Sequence, residues 1–528
     1  MFSQRGLAMG ERNLARQADR QLDRHGDYDS LFFEGAWYSS GWLADRAARL
    51  ATGLIGQGVG PGDRVVILMA NCPEVLVTYQ AVWRAGGVVT PLIFLVSEDE
   101  LRHALTDSGA VGVVTTAEFA PKVGAAARGV PTVRFVTVVG GSPDQLPVPG
   151  FDFAELAAHE PGSIVDRADD DLAALLYTGG TTGRSKGVPM THANLYWCGS
   201  AAYQSSARDD LTTGLVPLPL AHAYGLLVTC VGMHQEQPGR TILMRWFDPA
   251  GWVDLAETHR VQRSALVPSM IQMLLTQPLE QADLSALVAV TSGASPLADE
   301  VRAEFEARVP SAKIYEGYGC SETGAVISGN PLDARRPGSV GTPVPGVEVT
   351  IRDDDDHELP PGQDGEICVR SPGVMSGYWH APEATTAALV GGWLHTGDIG
   401  HLDADGYLYV VDRKKDLIIR GGFNVYPRDV EDALLGHPAV ALAGVVGRPD
   451  SRLGEEVVAF VSLRPEATVT ADELTAYAKE RLAAHKYPRE IRIVPEVPLT
   501  SVGKLDRKRL RAMVRADAER SAAQQAAR

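Results

Sequence analysis

Cysteine is scarce in this chain: five in 528 residues (Cys72, Cys198, Cys230, Cys320 and Cys368), widely spaced and forming no CxxC pair or Cys/His cluster. That excludes a disulfide framework and a thiolate zinc site, and it fits a reducing compartment. Long apolar runs are missing too. No stretch of about 18 uninterrupted apolar residues offers a spanning helix, and the opening MFSQRGLAMGERNLARQADR has no apolar core for a secretory signal. The expectation is a soluble, cytoplasmic protein with no integral membrane segment. A basic excess is lacking as well: 49 Lys and Arg against 66 Asp and Glu leave a formal net charge of −17. Such a surface repels nucleic acid and anionic lipid at long range, so neither is an expected partner.

What is present is a globular composition, 45% apolar, over a length greater than one hydrophobic core usually serves, so two or more domains are expected. Apolar residues recur at helical spacing from Leu43 to Ile55 and stop at Gly56 and Gly58; Arg64 to Met69 then reads as a short buried strand. Pro73 opens a second helix that ends at Gly86-Gly87, Val88-Val89-Thr90 reads as a strand, and Ser97 with Glu100 predicts a capping box. Strand-like segments recur at Val133 to Val139, Leu172 to Tyr177 and Ser264 to Val267. This alternation is the grammar of wound α/β sheets. Between Gly338 and Val369 short strands with Pro/Gly turns predict a small antiparallel or barrel-like subdomain, with Asp353 to Asp356 as a solvated turn rather than a calcium loop. After Asp412 an α+β unit is expected, with strands near Ala441 to Val446 and Val457 to Leu463, a helix from Ala471 to Ala484 opened by Thr470 and Glu473, and a fraying helical tail.

The chemistry begins at Leu172-Ala-Ala-Leu-Leu-Tyr177, an apolar strand running into Thr178-Gly-Gly-Thr-Thr-Gly-Arg-Ser-Lys-Gly187. Glycines let backbone amides turn toward an anion, threonine hydroxyls add donors, and Lys186 supplies a mobile positive charge. A polyphosphate would suit this loop, although a plain surface loop can share its composition. It is not a Walker loop, because Lys186 is followed by Gly187 rather than Ser or Thr. Gly317-Tyr-Gly319 is not a dinucleotide fingerprint either, since Glu322 stands where the third glycine is needed.

The loop resembles the YTSGTTGxPKGV signature of the acyl-CoA synthetase, adenylation-domain and luciferase superfamily of adenylate-forming enzymes, with Gly179 for serine and Ser185 for proline. The resemblance runs over nearly the whole chain, from Gly58-Val-Gly-Pro-Gly-Asp-Arg-Val65 to Lys504, and in motif form is nearest to bacterial fatty-acid or aryl-acid CoA ligases. It implies a large adenylation domain over residues 1–412 built of wound α/β sheets plus a β-barrel-like subdomain. A hinge at 413–416 and a small mobile α+β domain over 417–528 would follow.

Residue by residue, the resemblance implies that Thr178, Gly179, Gly180, Thr181, Thr182, Gly183 and Lys186 hold the phosphates of ATP. Pro219-Leu-Ala-His-Ala-Tyr-Gly225 is similar to the segment at the junction of the acyl and thiol channels, which makes His222 and Tyr224 pocket residues, with Val267, Ser292 and Gly293. That pocket is apolar and suits a fatty or aryl acid better than a dicarboxylate. Gly225-Leu226-Leu227 lacks the aspartate that would hold the ammonium of an α-amino acid. Gly293, Ala294 and Ser295, with Glu316, Gly317 and Tyr318, match the stretches that enclose adenine, Tyr318 packing on the purine. Tyr318-Gly-Cys-Ser-Glu-Thr323 is similar to YGxTE, so Ser321 keeps a hydroxyl and Glu322 becomes the Mg²⁺ ligand, assisted by Thr178.

Trp393-Leu-His-Thr-Gly-Asp398 matches WxxTGD, so Asp398 would accept from the ribose hydroxyls, and in Asp412-Arg-Lys-Lys-Asp416 the resemblance makes Arg413 a ribose and phosphate contact and Lys415 the hinge. Read without the family, that segment is a charged surface turn. Gly421 and Gly422 would leave room for the arm of coenzyme A, and Pro498-Leu-Thr-Ser-Val-Gly-Lys504 resembles PxTxxGK, whose lysine reaches the reacting phosphate. With His222, Glu322 and Lys504 as the catalytic set, the implied activity is an AMP-forming acid–thiol ligase of fatty acid metabolism. It would use ATP, Mg²⁺ and coenzyme A, and proceed through an acyl-AMP. Three alternatives remain at this point: a carrier-protein thiol or an amine as acceptor, an oxyanion other than a carboxylate, and a non-catalytic nucleotide-binding protein. A luciferase-like oxidoreductase on the same fold has no support in the residues.

Overall fold

The computed structural model describes residues 10–144, 146–178, 184–206, 208, 210–450, 452–499 and 505–526, with side chains to residue 516. Packing divides the chain into two compact units, one comprising 1–294, 304–349 and 369–394, the other 295–303, 350–368 and 395–528.

Two sheets dominate the first unit. The seven-stranded one runs Gly150–Asp152, Phe135–Val139, Gly112–Thr116, Arg64–Leu68, Val88–Pro91, Leu172–Thr178, Lys186–Thr191. Its pairings are parallel except the last, a hairpin of Leu172–Thr178 with Lys186–Thr191. Val65 to Leu68 are all fully buried, as expected of a parallel strand covered on both faces. The nine-stranded sheet runs Thr342–Pro343, Ser328–Gly329, Lys313–Tyr318, Ala289–Ser292, Arg263–Leu266, Thr213–Val216, Arg240–Leu243, Asp29–Phe33, Ala36–Ser39.

Helix Pro73–Arg84 is tied to both sheets. The Trp83 indole N–H donates to the Ala173 carbonyl at 2.9 Å, and the Tyr79 hydroxyl donates to the Leu220 carbonyl at 2.8 Å. Buried Asn71, just past strand Arg64–Leu68, donates to the carbonyls of Leu218 (2.8 Å) and Met244 (3.0 Å) and accepts from the Leu220 N–H (2.8 Å). These three bonds gather the carboxyl ends of strands from both sheets, the end of an open α/β sheet where ligands bind.

The capping box of helix Glu98–Ser108 forms as expected, with Ser97 and Glu100 exchanging side-chain and backbone bonds. One expectation needs correcting. Within 338–369, Thr342–Pro343 does not join the small subdomain; it pairs with Ser328–Gly329 as the edge of the nine-stranded sheet. The remaining strands, Glu348–Arg352 and Gly365–Arg370, enter a five-stranded sheet with Trp393–Leu402, Leu389–Val390 and Leu408–Arg413. Asp353 to Asp356 is the solvated turn the spacing suggests: the Asp353 carboxylate accepts the N–H groups of Asp355 and His357, both at 2.9 Å.

In the second unit a long antiparallel hairpin, Val440–Asp450 with Gly454–Leu463, is the spine of another five-stranded sheet. Side chains alternate across it. Val445, Val457, Ala459 and Val461 pack with Val430 and Leu434 of helix Pro427–Leu435 and Leu474 and Ala478 of helix Ala471–Arg481, the latter opened by the expected Thr470/Glu473 capping box. Val446, Val458 and Phe460 pack on the opposite face with Leu510 and Val514 of helix Arg507–Ala526. The C-terminal helix therefore begins as core and closes one face of the sheet.

Candidate active site

The candidate phosphate loop joins the two strands of the antiparallel pair Leu172–Thr178 and Lys186–Thr191. Thr178 and Lys186 are register partners at its mouth, while Gly179, Gly180, Thr181, Thr182 and Gly183 lie outside the described residues. Both arms are anchored. The Tyr177 hydroxyl donates to Asp107 Oδ2 at 2.7 Å, His103 Nε2 lies 2.9 Å from the Ser185 carbonyl, and the Trp379 N–H donates to the Gly187 carbonyl at 2.8 Å. Burial and the Asp107 carboxylate push the Tyr177 hydroxyl well up, so it remains a donor.

Strand Lys313–Tyr318 delivers the second element. Past Tyr318 the chain makes a short turn, Ser321–Thr323, closed by Gly324 at φ +61°, which presents Glu322. Gly319 permits that turn because any Cβ there would lie 2.4 Å from the Ala325 backbone. Glu322 Oε1 accepts a hydrogen bond of 2.7 Å from the Tyr378 hydroxyl, and Lys186 Nζ stands 4.6 Å from the centre of the same ring. The structure thus brings Lys186 and Glu322, 136 positions apart in sequence, onto one aromatic side chain. Tyr378 was not singled out from the sequence. Its only signal is an aromatic pair, Tyr378-Trp379, ahead of the helix-opening Pro382.

The acyl-pocket candidates divide. His222 caps helix Ala223–Gly232, its Nδ1 accepting the Tyr224 N–H at 3.3 Å, which leaves Nε2 as the protonated nitrogen of the neutral ring. The Tyr224 hydroxyl lies 3.2 Å from Thr291 Oγ1, and a Cβ on Gly293 would sit 3.8 Å from the Tyr224 ring. Burial raises the pKa of that hydroxyl. Residues 291 and 293 therefore share Tyr224's side of strand Ala289–Ser292, and by alternation Ser292 projects from the other side, where its register partner is Glu316. Ser292 is not brought to Tyr224; Thr291, missed in the sequence, is. The Ser292 hydroxyl is buried without a hydrogen-bond partner among the described residues. Val267 caps strand Arg263–Leu266, whose last residue, Leu266, pairs with Ser292. Ala294 holds φ +71°, an uncommon conformation for a residue with a Cβ, and Gly317 approaches the Ser328 carbonyl closely. Tyr318, paired with Ser328, is half-buried. Ser295 follows the strand into the next unit of the chain.

In the second unit Asp398, 6% exposed, pairs across the strands with Arg413, whose Nε lies 3.2 Å from Asp398 Oδ1. The reading of 412–416 as a charged surface turn fails here. Asp412 and Asp416 are only 7% and 4% exposed because they sit in a buried charge network. Asp412 accepts the N–H groups of Arg413 and Arg428, Arg507 donates to both oxygens of Glu431 (2.9 and 2.7 Å), and Arg511 donates to Asp416 at 2.6 Å. Lys415, between Asp412 and Asp416 in sequence, is exposed, and partial desolvation together with the Arg413 charge lowers its pKa. Gly421 and Gly422, at φ +60° and +82°, form the two-residue turn joining Ile418–Arg420 to Phe423–Val425, a geometry that demands left-handed residues at both positions. Leu499 and Leu505 form an isolated antiparallel bridge, and Lys504 lies outside the described residues.

Burial pushes the Glu431 carboxyl up to about 7 from an ordinary 4.5, with Arg507 opposing the shift. Between those values the folded chain holds a proton that the unfolded chain has released, so this group's contribution to stability is complete at acid pH and falls as pH rises through about 7. Urea unfolding of Glu431→Gln should accordingly lose the part of the downward slope of stability that lies between pH 5 and 7 (roughly the window set by the two values).

The donor set fits a divalent cation beside a polyphosphate. Glu322 is a hard oxygen ligand with one oxygen held by Tyr378, and among the described residues Oε2 accepts no hydrogen bond.

A family model described as "AMP-binding enzyme" matches residues 18–379, and one described as "AMP-binding enzyme C-terminal domain" matches residues 429–504. The chain is 36% identical over 523 residues to a long-chain-fatty-acid–CoA ligase of Bacillus subtilis, covering 92% of each protein. It is 38% identical over 467 residues to a feruloyl-CoA synthase of Amycolatopsis sp., covering 88% of this chain and 91% of the relative. Among solved structures, that of the anthranilate CoA ligase AuaEII in complex with anthranoyl-AMP superimposes with a TM-score of 0.89 at 25% identity, over 96% of this chain and 98% of the other. No helix among the described residues is long and apolar enough to cross a membrane.

Proposed function

This chain belongs to the AMP-binding enzyme family, and from that premise we propose that it is an AMP-forming acid–thiol ligase that activates a fatty or aryl carboxylic acid and transfers the acyl group to coenzyme A. The observation that carries this reading is the meeting of Lys186 and Glu322 on Tyr378 at the mouth of the Thr178–Lys186 hairpin. A cation and a carboxylate on one rigid platform next to a glycine-rich tip are the groups needed to hold a metal-bound triphosphate.

In the first step an oxygen of the acid's carboxylate attacks the α-phosphorus of ATP, the bond to the β-phosphate breaks, and pyrophosphate leaves. An acyl-AMP remains. Lys186, with the loop from Thr178, neutralises the phosphates; Glu322 would hold Mg²⁺, which when bound withdraws charge from the phosphate oxygens. Tyr318 would cover the purine and Asp398 would accept from the ribose hydroxyls, with Arg413 oriented by the Asp398 pairing. Lys504 is assigned to the reacting phosphate. In the second step the sulfur of coenzyme A attacks the acyl carbon, the mixed anhydride opens, and AMP departs as the thiol proton is lost to solvent or base. Lys415 is assigned as the hinge between the two steps, and His222 and Tyr224 would line the pocket of the acyl group. The names of the relatives, long-chain-fatty-acid–CoA ligase and feruloyl-CoA synthase, support an apolar acid as substrate.

Exchange of labelled pyrophosphate into ATP tests the first step. Exchange that requires a fatty or aryl acid is expected; exchange that is absent with every acid, or independent of acid, overturns the reading.

A further inference from the structure

Tyr378, itself only partly buried, is braced on both sides along the chain. Its N–H donates to Thr385 Oγ1 at 2.9 Å, and the next residue is fixed twice, the Trp379 N–H to the Gly187 carbonyl (2.8 Å) and the Trp379 indole to the Asp107 carbonyl (3.0 Å). On the preceding side Gly377 holds φ +151°, with any Cβ 2.6 Å from Thr385 Cγ2, and on the following side His380 holds φ +51°. Gly377 is thus required by its backbone conformation and by the close approach of Thr385, and the left-handed His380 carries a cost that persists only where the surroundings over-determine it. The product of this bracing is the position of a single hydroxyl, 2.7 Å from Glu322 Oε1.

We propose that Tyr378 is a positioning residue that makes Glu322 a one-oxygen metal ligand and thereby selects Mg²⁺ over Ca²⁺; this rests on the proposed ATP-dependent function. An O–H donor of this length occupies one of the two lone pairs of Oε1 and draws charge from it, so a cation is met most strongly by Oε2. Mg²⁺ demands compact octahedral geometry, keeps several waters and takes carboxylates through one oxygen, whereas Ca²⁺ tolerates many oxygens and readily takes a carboxylate through both. The ring contributes separately. With Lys186 Nζ on its face at 4.6 Å, it keeps the lysine charge beside the carboxylate without a direct ion pair occupying Oε2.

The test is metal and ATP binding to the full chain, with no acid and no turnover. Mg²⁺-dependent ATP binding is titrated calorimetrically for the wild type, Tyr378→Phe, Glu322→Gln and the double variant. Ca²⁺ then replaces Mg²⁺, and ATP binding is also measured in EDTA. Tyr378→Phe keeps the ring and its contact with Lys186, so ATP binding in EDTA should be unchanged. The Mg²⁺ requirement should rise by about 10- to 100-fold, the usual effect of removing a partner of a metal-bound carboxylate. Ca²⁺ should lose less, so the Mg²⁺/Ca²⁺ preference falls. In the Glu322→Gln background the hydroxyl should have no further effect. Wild-type Mg²⁺ dependence in Tyr378→Phe, or an equal loss for both metals and in EDTA, overturns the proposal while leaving the ligase reading intact. A wild type that binds no ATP with either metal sinks that reading instead, and this proposal with it.

Discussion

Replacing Lys504 with alanine lowers the rate of acyl-AMP formation by about 10²- to 10³-fold, roughly 3 to 4 kcal/mol of transition-state stabilisation, the usual cost of one preorganised donor. The attacking carboxylate, the α-phosphate and the departing pyrophosphate are all anionic, so an ammonium at the reacting phosphate lowers the barrier without moving a proton. Thiolysis instead develops its charge on the acyl carbonyl oxygen and the departing AMP, with no pyrophosphate to displace. When chemically prepared acyl-AMP is supplied with coenzyme A, Lys504→Ala should therefore form thioester at nearly the wild-type rate. Pre-steady-state measurement of the two half-reactions separates the outcomes. Loss confined to adenylation fits the assigned role, and unchanged adenylation removes Lys504 from it.

The largest stability effect is expected at Arg507. Its guanidinium donates to both oxygens of Glu431, with Asp416 Oδ2 3.7 Å away and Asp412 close enough to contribute to its charge balance. Removing one partner of a buried pair leaves an uncompensated charge, which typically costs about 3 to 5 kcal/mol. Arg507→Ala should lose an amount approaching this order in urea unfolding at alkaline pH, above the Glu431 value of about 7, where the carboxyl of the native chain is ionised. The loss should shrink toward acid pH, because burial already holds the Glu431 carboxyl at about 7 and removal of the arginine leaves desolvation unopposed. A loss below about 1 kcal/mol would mean that the network is worth no more than a surface ion pair.

The sequence was most legible where chemistry or backbone geometry is local. The strand Arg64–Leu68, both capping boxes and the turn at Asp353 depend largely on neighbours within a few residues, and each formed where its spacing indicated. The glycine pair at Gly421 and Gly422 was legible as small residues, but their left-handed turn is a separate, structural demand for glycine. What could not be read is what long-range pairing decides. Arg507 meets Glu431 from 76 positions away, and so a segment that looks like a solvated turn, Asp412 to Asp416, becomes buried. Tyr378 reaches Glu322 across 56 positions, and nothing in its own neighbourhood distinguishes it from a packing aromatic. Strand alternation through Thr291 to Gly293 puts Thr291 and Gly293 on Tyr224's side and Ser292 on the other, a pattern legible in the sequence itself.

The central proposal is the transfer of an activated acyl group to coenzyme A, and mass spectrometry of the products from the purified chain tests it most directly. A panel of fatty and aryl acids is incubated with Mg·ATP, each with and without coenzyme A. Acyl-CoA together with AMP is the expected result, with acyl-AMP detected when coenzyme A is omitted. Acyl-AMP that accumulates unchanged after coenzyme A is added would contradict the ligase assignment and direct attention to a carrier-protein thiol or an amine as the acceptor.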